Sequence, residues 1–266
     1  MAISGLSAEN RMLLSRLHQV FEGPFTIVEA SEAMGLELSR VSRLLRHLAA
    51  QGWLVRVRRG LYATVPLGAE RPQEWSADPW AVAARALDPG YIGGWSALHH
   101  WDLTEQLFVS TVCFTARPVA HRRVSIGGTR FELRHRNASL LFGTRRVWRS
   151  GVPVPVSDPE RTLVDCLDDP TVGGGMRHVV DALRSYAGGS RTRWSMIVEY
   201  GDRLGNRTVF KRLGYIAEAL ELADDALLDS CRARVSAGIG RLDPALPARG
   251  PIVTRWGLRI NSGVDR

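Results

Sequence analysis

Apolar residues recur with helical spacing over the first fifty residues, and they predict three helices. The first is capped by Ser7 and buries one face, formed by Leu13, Leu14, Leu17, Val20 and Phe21. Thr26 and Glu29 have the spacing of a capping box, which predicts a short second helix that ends at Gly35. The third runs from about Glu37 to Gln51, with a buried stripe at Val41, Leu44, Leu45 and Leu48.

After Gly52 the pattern changes from a helical period to strand alternation. "WLVRV" alternates apolar and basic residues, "RRG" provides a turn, and "LYATV" predicts the returning strand of a hairpin. Three helices followed by a hairpin is the element order of a winged helix-turn-helix. We therefore assign residues 1–66 to this domain, and residues 67–77, rich in Pro, Gly and polar side chains, to a linker.

Residues 78–266 predict a larger domain of strands followed by helices. Asp78 and Pro79 mark a helix start, and the strand-like segments that follow pair across Gly127–Gly128 and across Ser150–Gly151. Pro153 and Pro155 predict that the second strand of the latter hairpin lies at a sheet edge. From Asp158 the chain is mainly helical, and "PIVTRWGLRI" predicts one terminal strand. The fold class is α+β: an N-terminal winged helix-turn-helix and a larger mixed domain.

The charges of the first domain suggest a nucleic-acid partner. With the leucine stripe facing inward, the third helix presents a polar and basic face, and the hairpin carries more arginines. The predicted DNA-binding residues are Ser39, Arg40, Ser42, Arg43, Arg46 and His47 on the helix, with Arg56, Arg58 and Arg59 in the wing. Arginine on such a helix can bind guanine O6 and N7 in the major groove, and wing arginines suit the DNA backbone.

A second basic segment spans residues 117–149, where nine arginines face the single carboxylate Glu132. We predict a second electrostatic surface from Arg122, Arg123, Arg130, Arg134, Arg136, Arg145, Arg146 and Arg149. The alternative is that these are strand residues exposed for solubility. The whole chain of 266 residues has a formal net charge of +8, which also fits a polyanionic partner.

Composition and motifs argue against several other classes. No apolar run is long enough to span a membrane, and no secretory signal pattern stands at the N-terminus. Cys113, Cys166 and Cys231 are far apart, which favours buried thiols in a reducing cytoplasm over disulfides or a metal site. Lys211 is the only lysine and lacks the acidic residue of a nuclease E-x-K motif. We expect no catalytic residues, metal or cofactor.

Four segments together resemble the AbiEi family, the antitoxins of type IV toxin–antitoxin systems. They are "RVRRGLY", "YIGGWSALHHWDLTEQ", "VSDPERTLVDCLDDP" and "RWGLRIN", and the resemblance covers nearly the whole chain. It implies a winged helix that binds inverted repeats of double-stranded operator DNA and represses its own operon. It also implies a second domain that neutralises a cognate nucleotidyltransferase-like toxin, with direct contact left open.

The sequence therefore predicts a cytoplasmic, non-enzymatic antitoxin and autorepressor. Two alternatives remain open. One is a winged-helix regulator without a toxin partner, whose second domain senses a small ligand. The other is an enzyme, which metal-dependent cleavage or transfer by the purified chain would reveal.

Overall fold

The structure is a computed structural model that describes residues 6–66, 68–69 and 75–264. Its N-terminal unit contains three helices, α1 (Ala8–Val20), α2 (Ile27–Met34) and α3 (Leu38–Ala50). Strands β1 (Phe25–Thr26), β2 (Leu54–Arg58) and β3 (Leu61–Thr64) form a sheet in the order β1-β3-β2. The predicted winged helix-turn-helix order is confirmed. Strand β1 was not predicted, because two residues leave no alternating pattern.

Local signals fix the helix ends of this unit. The hydroxyl of Thr26 accepts a hydrogen bond from the Glu29 amide at 3.2 Å, and the Glu29 carboxylate accepts one from the Thr26 amide at 2.8 Å. Gly35 then ends α2 with φ +63°, a conformation that glycine adopts without strain. Of the predicted α3 stripe, Val41, Leu45 and Leu48 are fully buried, whereas Leu44 lies half-buried at its margin.

The second unit is built on a six-stranded mixed sheet. Its strands are β4 (Gly90–Ile92), β5 (Thr111–Thr115), β6 (Arg123–Ile126), β7 (Thr129–His135), β8 (Thr144–Arg149) and β9 (Val152–Ser157). They lie in the order β6-β7-β5-β4-β9-β8, with the pairs β5–β7 and β4–β9 parallel. Helices α4 (Pro79–Ala86) and α5 (Gly94–His100) flank β4 along the chain. Both predicted hairpins, β6–β7 and β8–β9, are present.

The predicted edge position of the proline strand is wrong. Strand β9 lies between β4 and β8, and β8 forms the edge. The prolines are tolerated because β4 is short and pairs with β9 only at Val156. Pro153 and Pro155 pair with β8 alone. A proline in a strand therefore requires only that no second strand pairs with the chain at the proline itself; the rest of its strand can be paired on both sides.

The helical part of the chain follows β9. It comprises α6 (Pro159–Asp168), α7 (Met176–Ala187), α8 (Trp194–Leu204), α9 (Thr208–Ala219) and α10 (Asp225–Arg232). A small sheet closes it, formed by β10 (Gly240–Arg241), β11 (Ile252–Val253) and β12 (Leu258–Arg259). The predicted single terminal strand is wrong, because a turn at Thr254–Trp256 separates β11 from β12. This turn buries the Trp256 indole, which donates to Glu218 Oε2 at 2.8 Å.

Helix α6 is the buried centre of the second unit. It contains most of "VSDPERTLVDCLDDP", one of the four segments that resemble the AbiEi family, and shows what the residues of that segment do in the fold. Asp158 caps the helix by accepting from the Arg161 amide at 2.8 Å, and Pro159 starts it. The guanidinium of Arg161 is fully buried and lies 3.1 Å from both Asp165 Oδ1 and the Tyr91 hydroxyl. In this segment the "DPER" residues therefore cap, start and anchor a helix.

Both faces of the large sheet are covered. Val112 and Phe114 of β5 pack with α6 and α7, whereas Cys113, between them, faces a second core cluster with α4. That second cluster also contains Val57, Leu61 and Ala63 from the wing hairpin. An ion pair at 2.9 Å between Glu29 and Arg85 adds to this contact. The winged helix and the second unit thus share a hydrophobic core.

The predicted linker is only partly within the described residues. Residues 67 and 70–74 lie outside them. At its end, Trp75 packs against the second core cluster and Ala77 is buried in it. The division into residues 1–66, 67–77 and 78–266 stays a prediction.

Candidate nucleic-acid interface

Helix α3 presents a polar face away from the core of the winged helix. Val41, Leu45 and Leu48 face inward. The side chains of Ser39, Arg40, Arg43, Arg46 and His47 are exposed, and that of Ser42 is half-buried. The leucine period therefore predicted correctly which side of α3 faces solvent.

The wing adds three arginines. In β2, Arg56 and Arg58 are exposed while Val57 between them is buried. Arg59 lies in the turn before β3, where Gly60 has φ +79°. Because glycine adopts this left-handed conformation freely, the hairpin can reverse within two residues. The tight reversal leaves Arg58 and Arg59 exposed at the tip of the wing.

An open groove joins the helix to the wing. Ser42 and Arg46 of α3 line it together with Arg56, Arg59 and Gly60 of the hairpin. Helix and hairpin residues 10 or more positions apart in sequence are thus brought to one concave surface. The arrangement can hold an extended polyanion between a helix and a hairpin.

Most of these arginines have no carboxylate partner in the part of the chain that the structure describes. Arg40 is the exception, because it forms an exposed ion pair with Glu9 of α1, 31 residues away in sequence. A hydrogen bond from the Ser39 hydroxyl, helped by the nearby Arg43 charge, lowers the pKa of Glu37. Within the described residues, no carboxylate forms an ion pair with the rest of the set: Arg43, Arg46, Arg56, Arg58 and Arg59. Their charge is available to phosphates.

The predicted second basic surface is wrong for two of its members. Arg134 and Arg136 are largely buried beside α6, because strand alternation places them on the inner face of the sheet. Arg134 contacts Glu132 at 3.1 Å and Asp169 at 3.0 Å, and Arg136 pairs with Asp165 and Asp168. Sequence proximity could not reveal these partners, since three of the four carboxylates follow 29 or more residues later.

The remaining arginines of that segment are exposed but form two groups. Arg122, Arg123 and Arg130 belong to the β6–β7 side of the sheet, and Arg145, Arg146 and Arg149 to β8 at the opposite edge. They do not line one face. The β6–β7 turn lies beside the wing, where an ideal Cβ on Gly127 would lie 3.4 Å from Val57. In β8, the guanidinium of Arg145 lies over the ring of Trp101, with Cζ 5.3 Å from the ring centroid, and that of Arg149 lies over the ring of Trp80 at 4.9 Å.

Sequence reasoning missed a polar pocket in the second unit. Trp101, Glu160, Tyr186, Arg191 and Arg193 line it, together with Arg145. These residues come from four separate segments, and the arginines of the sequence "GGSRTR" were its only local signal. All three cysteines are buried with free thiols, as predicted. In the part of the chain that the structure describes, no cluster of His, Cys, Asp and Glu is placed to hold a metal, and no helix is long and apolar enough to cross a membrane.

A three-helix unit with a hairpin wing and a basic third helix defines the winged-helix class of transcriptional regulators. Residues 11–65 match a family model described as "Transcriptional regulator, AbiEi antitoxin". The predicted resemblance to AbiEi antitoxins is therefore confirmed in the winged-helix unit.

The fold as a whole resembles a solved structure. The RV2827C protein from Mycobacterium tuberculosis has a TM-score of 0.68 over 96% of this chain and 92% of that chain, at 16% identity. At that identity the likeness concerns the fold alone. No curated protein matches the chain in sequence.

Proposed function

We propose that the protein represses its own operon by binding inverted repeats in promoter DNA. Helix α3 enters the major groove, and the wing arginines contact the flanking phosphates. The single observation that carries this proposal is the groove shared by Ser42 and Arg46 of α3 and Arg56 and Arg59 of the wing. The lack of carboxylate partners for these arginines among the described residues supports it, and so does the regulator family that matches this unit.

An Arg40/Arg43/Arg46 triple alanine variant tests the recognition helix. Operator affinity, measured by fluorescence anisotropy on promoter DNA, is expected to fall to the level of non-specific binding. The exposed Arg177 and the half-buried Arg184 of α7, changed to alanine together, serve as a control outside the groove. Undiminished operator binding in the triple variant would rule out this assignment.

Single substitutions separate base reading from phosphate contact. Arg43→Ala is expected to cost about 1–3 kcal/mol of binding free energy and to relax preference at one base pair. Arg58→Ala is expected to weaken all DNA sequences alike and to reduce the salt slope by about one unit. Salt titrations on operator and scrambled DNA measure both effects. The same loss on both sequences for Arg43→Ala would contradict its role in base reading.

We further propose that the second unit neutralises a nucleotidyltransferase-type toxin in the cytoplasm, without catalysis of its own. The match of residues 11–65 to a family of AbiEi antitoxin regulators supports this role. The proposal does not require direct contact with the toxin. Co-expression with the adjacent gene, scored for growth, is the test. Rescue is expected to persist in the Arg40/Arg43/Arg46 variant, because its substitutions lie outside the second unit, and failure of the wild-type chain to rescue growth would contradict the antitoxin role.

One observation favours the alternative of a ligand-responsive regulator without a toxin partner. The second unit contains the polar pocket between Arg145, Glu160 and Arg193, which has the character of a small-molecule site. The same co-expression experiment separates the two functions. An adjacent gene whose product is harmless without this chain would favour the ligand-responsive regulator.

A further inference from the structure

The pocket of the second unit is open to solvent and has a volume of about 670 Å³. It lies between the end of α5, the start of α6, the end of α7 and β8. It has no lining residue in common with the groove between α3 and the wing. Its volume falls within the range of small-molecule sites, roughly 300–1,000 Å³.

Hydrogen bonds hold one wall of the pocket in place. The indole of Trp101 donates from Nε1 to the Ser157 carbonyl at 2.7 Å, which fixes the plane of its ring. The Tyr186 hydroxyl donates to Glu160 Oε1 at 2.8 Å and accepts from the Arg193 amide at 2.6 Å. Leu103 is buried beside them. Trp101 and Tyr186 thus have fixed orientations on this wall, and the guanidinium of Arg145 lies over the Trp101 ring, with Cζ 5.3 Å from the ring centroid.

The lining of the pocket also contains three arginines, Arg145, Arg191 and Arg193. Arg193 is neutralised by Glu160, which accepts from its Nε at 3.0 Å and from Nη2. Burial opposes the ionised form of Glu160, but the hydrogen bonds from Arg193 and Tyr186 prevail and lower its pKa. Arg145 and Arg191 form no ion pair with a carboxylate of the described residues. Against these two charges the lining contains one further carboxylate, the exposed Asp102.

We propose that this pocket binds a nucleoside phosphate. The base packs against this wall beside Arg145, and Arg145 and Arg191 bind the phosphate groups. Guanidinium groups suit phosphate because they donate hydrogen bonds in pairs. The volume of about 670 Å³ matches a small ligand such as a nucleoside phosphate, and titration with a single-stranded decanucleotide separates this ligand from a nucleic-acid strand. This inference does not depend on operator binding or on toxin neutralisation.

Calorimetric titration of the full chain tests the proposal. ATP and GTP are the probes, with adenosine, guanosine and inorganic triphosphate as comparisons. We expect at least one nucleotide to bind with a Kd below about 1 mM and at least about tenfold more tightly than its nucleoside or triphosphate alone. An Arg145→Ser/Arg191→Ser variant is expected to lose at least about tenfold in affinity. Arg177→Ser, at an exposed position of α7 outside the pocket, is the matched control and is expected to bind as the wild type.

Several results would overturn the proposal. They are the absence of nucleotide binding at millimolar concentration, equal binding of triphosphate alone, and full affinity in the double variant. Tighter binding of a single-stranded decanucleotide than of either nucleotide would replace the small ligand with a nucleic-acid strand. All the substituted arginines are exposed. Unchanged thermal unfolding of each variant would establish that its affinity reports on the pocket.

Discussion

Arg161 and Asp165 show how single residues of the second unit tolerate charge in a hydrophobic interior. Both side chains are fully buried, 3.1 Å apart and one helical turn from each other in α6. Burial raises the pKa of Asp165, while Arg161, Arg136 and the Tyr91 hydroxyl oppose this effect. The pair is stable in this position because each group has several partners, and it becomes a liability when one group is removed.

Asp165→Ala is therefore expected to lower the free energy of unfolding by about 3–5 kcal/mol, since it leaves Arg161 buried without its carboxylate. Urea denaturation followed by circular dichroism is the measurement. Asp181→Ala is the matched control, because Asp181 pairs with Arg184 at the surface. Its cost is expected to stay below about 1 kcal/mol. Equal costs for the two variants would show that burial of the pair contributes nothing.

His100 gives a pH dependence of defined sign. Burial, and then the charge of Arg149, lower the pKa of His100 below its ordinary value of 6.5. The unfolded chain therefore takes up a proton at this residue before the folded chain does, as pH falls. Stability is then lost on acidification below about pH 6.5. We expect the free energy of unfolding to fall between pH 7.5 and pH 5.5. The size of the fall depends on how far the pKa of His100 is lowered, and its slope corresponds to the uptake of about one proton at most.

Two variants isolate the contribution of His100. His100→Gln is expected to flatten the slope of unfolding free energy against pH, whatever its effect on stability at pH 7.5. Arg149→Gln is expected to flatten it in part, because it removes the second cause of the lowered pKa. Burial also lowers the pKa of His18. The contribution of His18 to the slope of unfolding free energy against pH therefore remains in both variants. An unchanged slope in His100→Gln would show that another group carries the effect.

At the scale of elements, close approach between α9 and the turn before β12 depends on one glycine. An ideal Cβ on Gly214 would lie 2.2 Å from Cζ3 of Trp256, inside the indole ring's contact distance. The Trp256 ring is fully buried. No side chain larger than hydrogen fits at this position unless α9 or the terminal sheet moves.

Gly214→Ala is expected to destabilise the protein by about 1–3 kcal/mol, because the cost of overpacking exceeds the gain in helix propensity. Gly188→Ala is the matched control. Gly188 has φ −73° at the end of α7, and an added Cβ would meet nothing closer than 3.6 Å. This change is expected to stabilise by about 0.4–1 kcal/mol. Denaturation midpoints distinguish the two, and stabilisation by both would contradict the contact with Trp256.

The elements that the sequence predicted well are those with local signals. The capping box at Thr26 and Glu29 and the two-residue turn at Gly127–Gly128 are complete within a few residues, and both are present. Strand β4 was not predicted, because its three residues are too few to show a period. The central position of β9 is possible because β4 pairs with it at one residue only. The length of that pairing is a property of the assembled sheet and has no local signal in the sequence.

The same limit applies to the candidate sites. The exposed face of α3 follows from the spacing of Val41, Leu45 and Leu48, which is a local property. Arg134 and Arg136 are buried because they pair with carboxylates of α6 and of the turn after it. These carboxylates are too far along the chain for the sequence to indicate the pairing. The pocket at Trp101 was out of reach for the same reason, since its walls come from separate elements.

At the scale of the whole molecule, the wing couples the winged helix to the sheet of the second unit. Val57 is buried in a core cluster with Val82 of α4 and Phe131 of β7. Val57→Ala is expected to cost about 1–3 kcal/mol. It is also expected to speed hydrogen exchange in both the wing and the β6–β7 turn.

Val55→Ala is the control for this contact. Val55 lies in the same strand and is half-buried, outside that cluster. Its cost is expected to stay below about 1 kcal/mol, with no change of exchange in the β6–β7 turn. Faster exchange confined to the wing in Val57→Ala would indicate that the wing does not stabilise the sheet.

The alternation of Arg56, Val57 and Arg58 restricts how the proposed DNA specificity of this protein can be transferred to another operator. A chimera that exchanges the whole winged helix for that of another regulator would set a foreign hairpin against Phe131 and Val82. Grafting only the exposed side chains of α3 leaves that hairpin in place. If the proposed operator binding holds, substitutions on one face of α3 are therefore expected to change the DNA sequence that is bound, and exchange of the whole winged helix is expected to destabilise the protein.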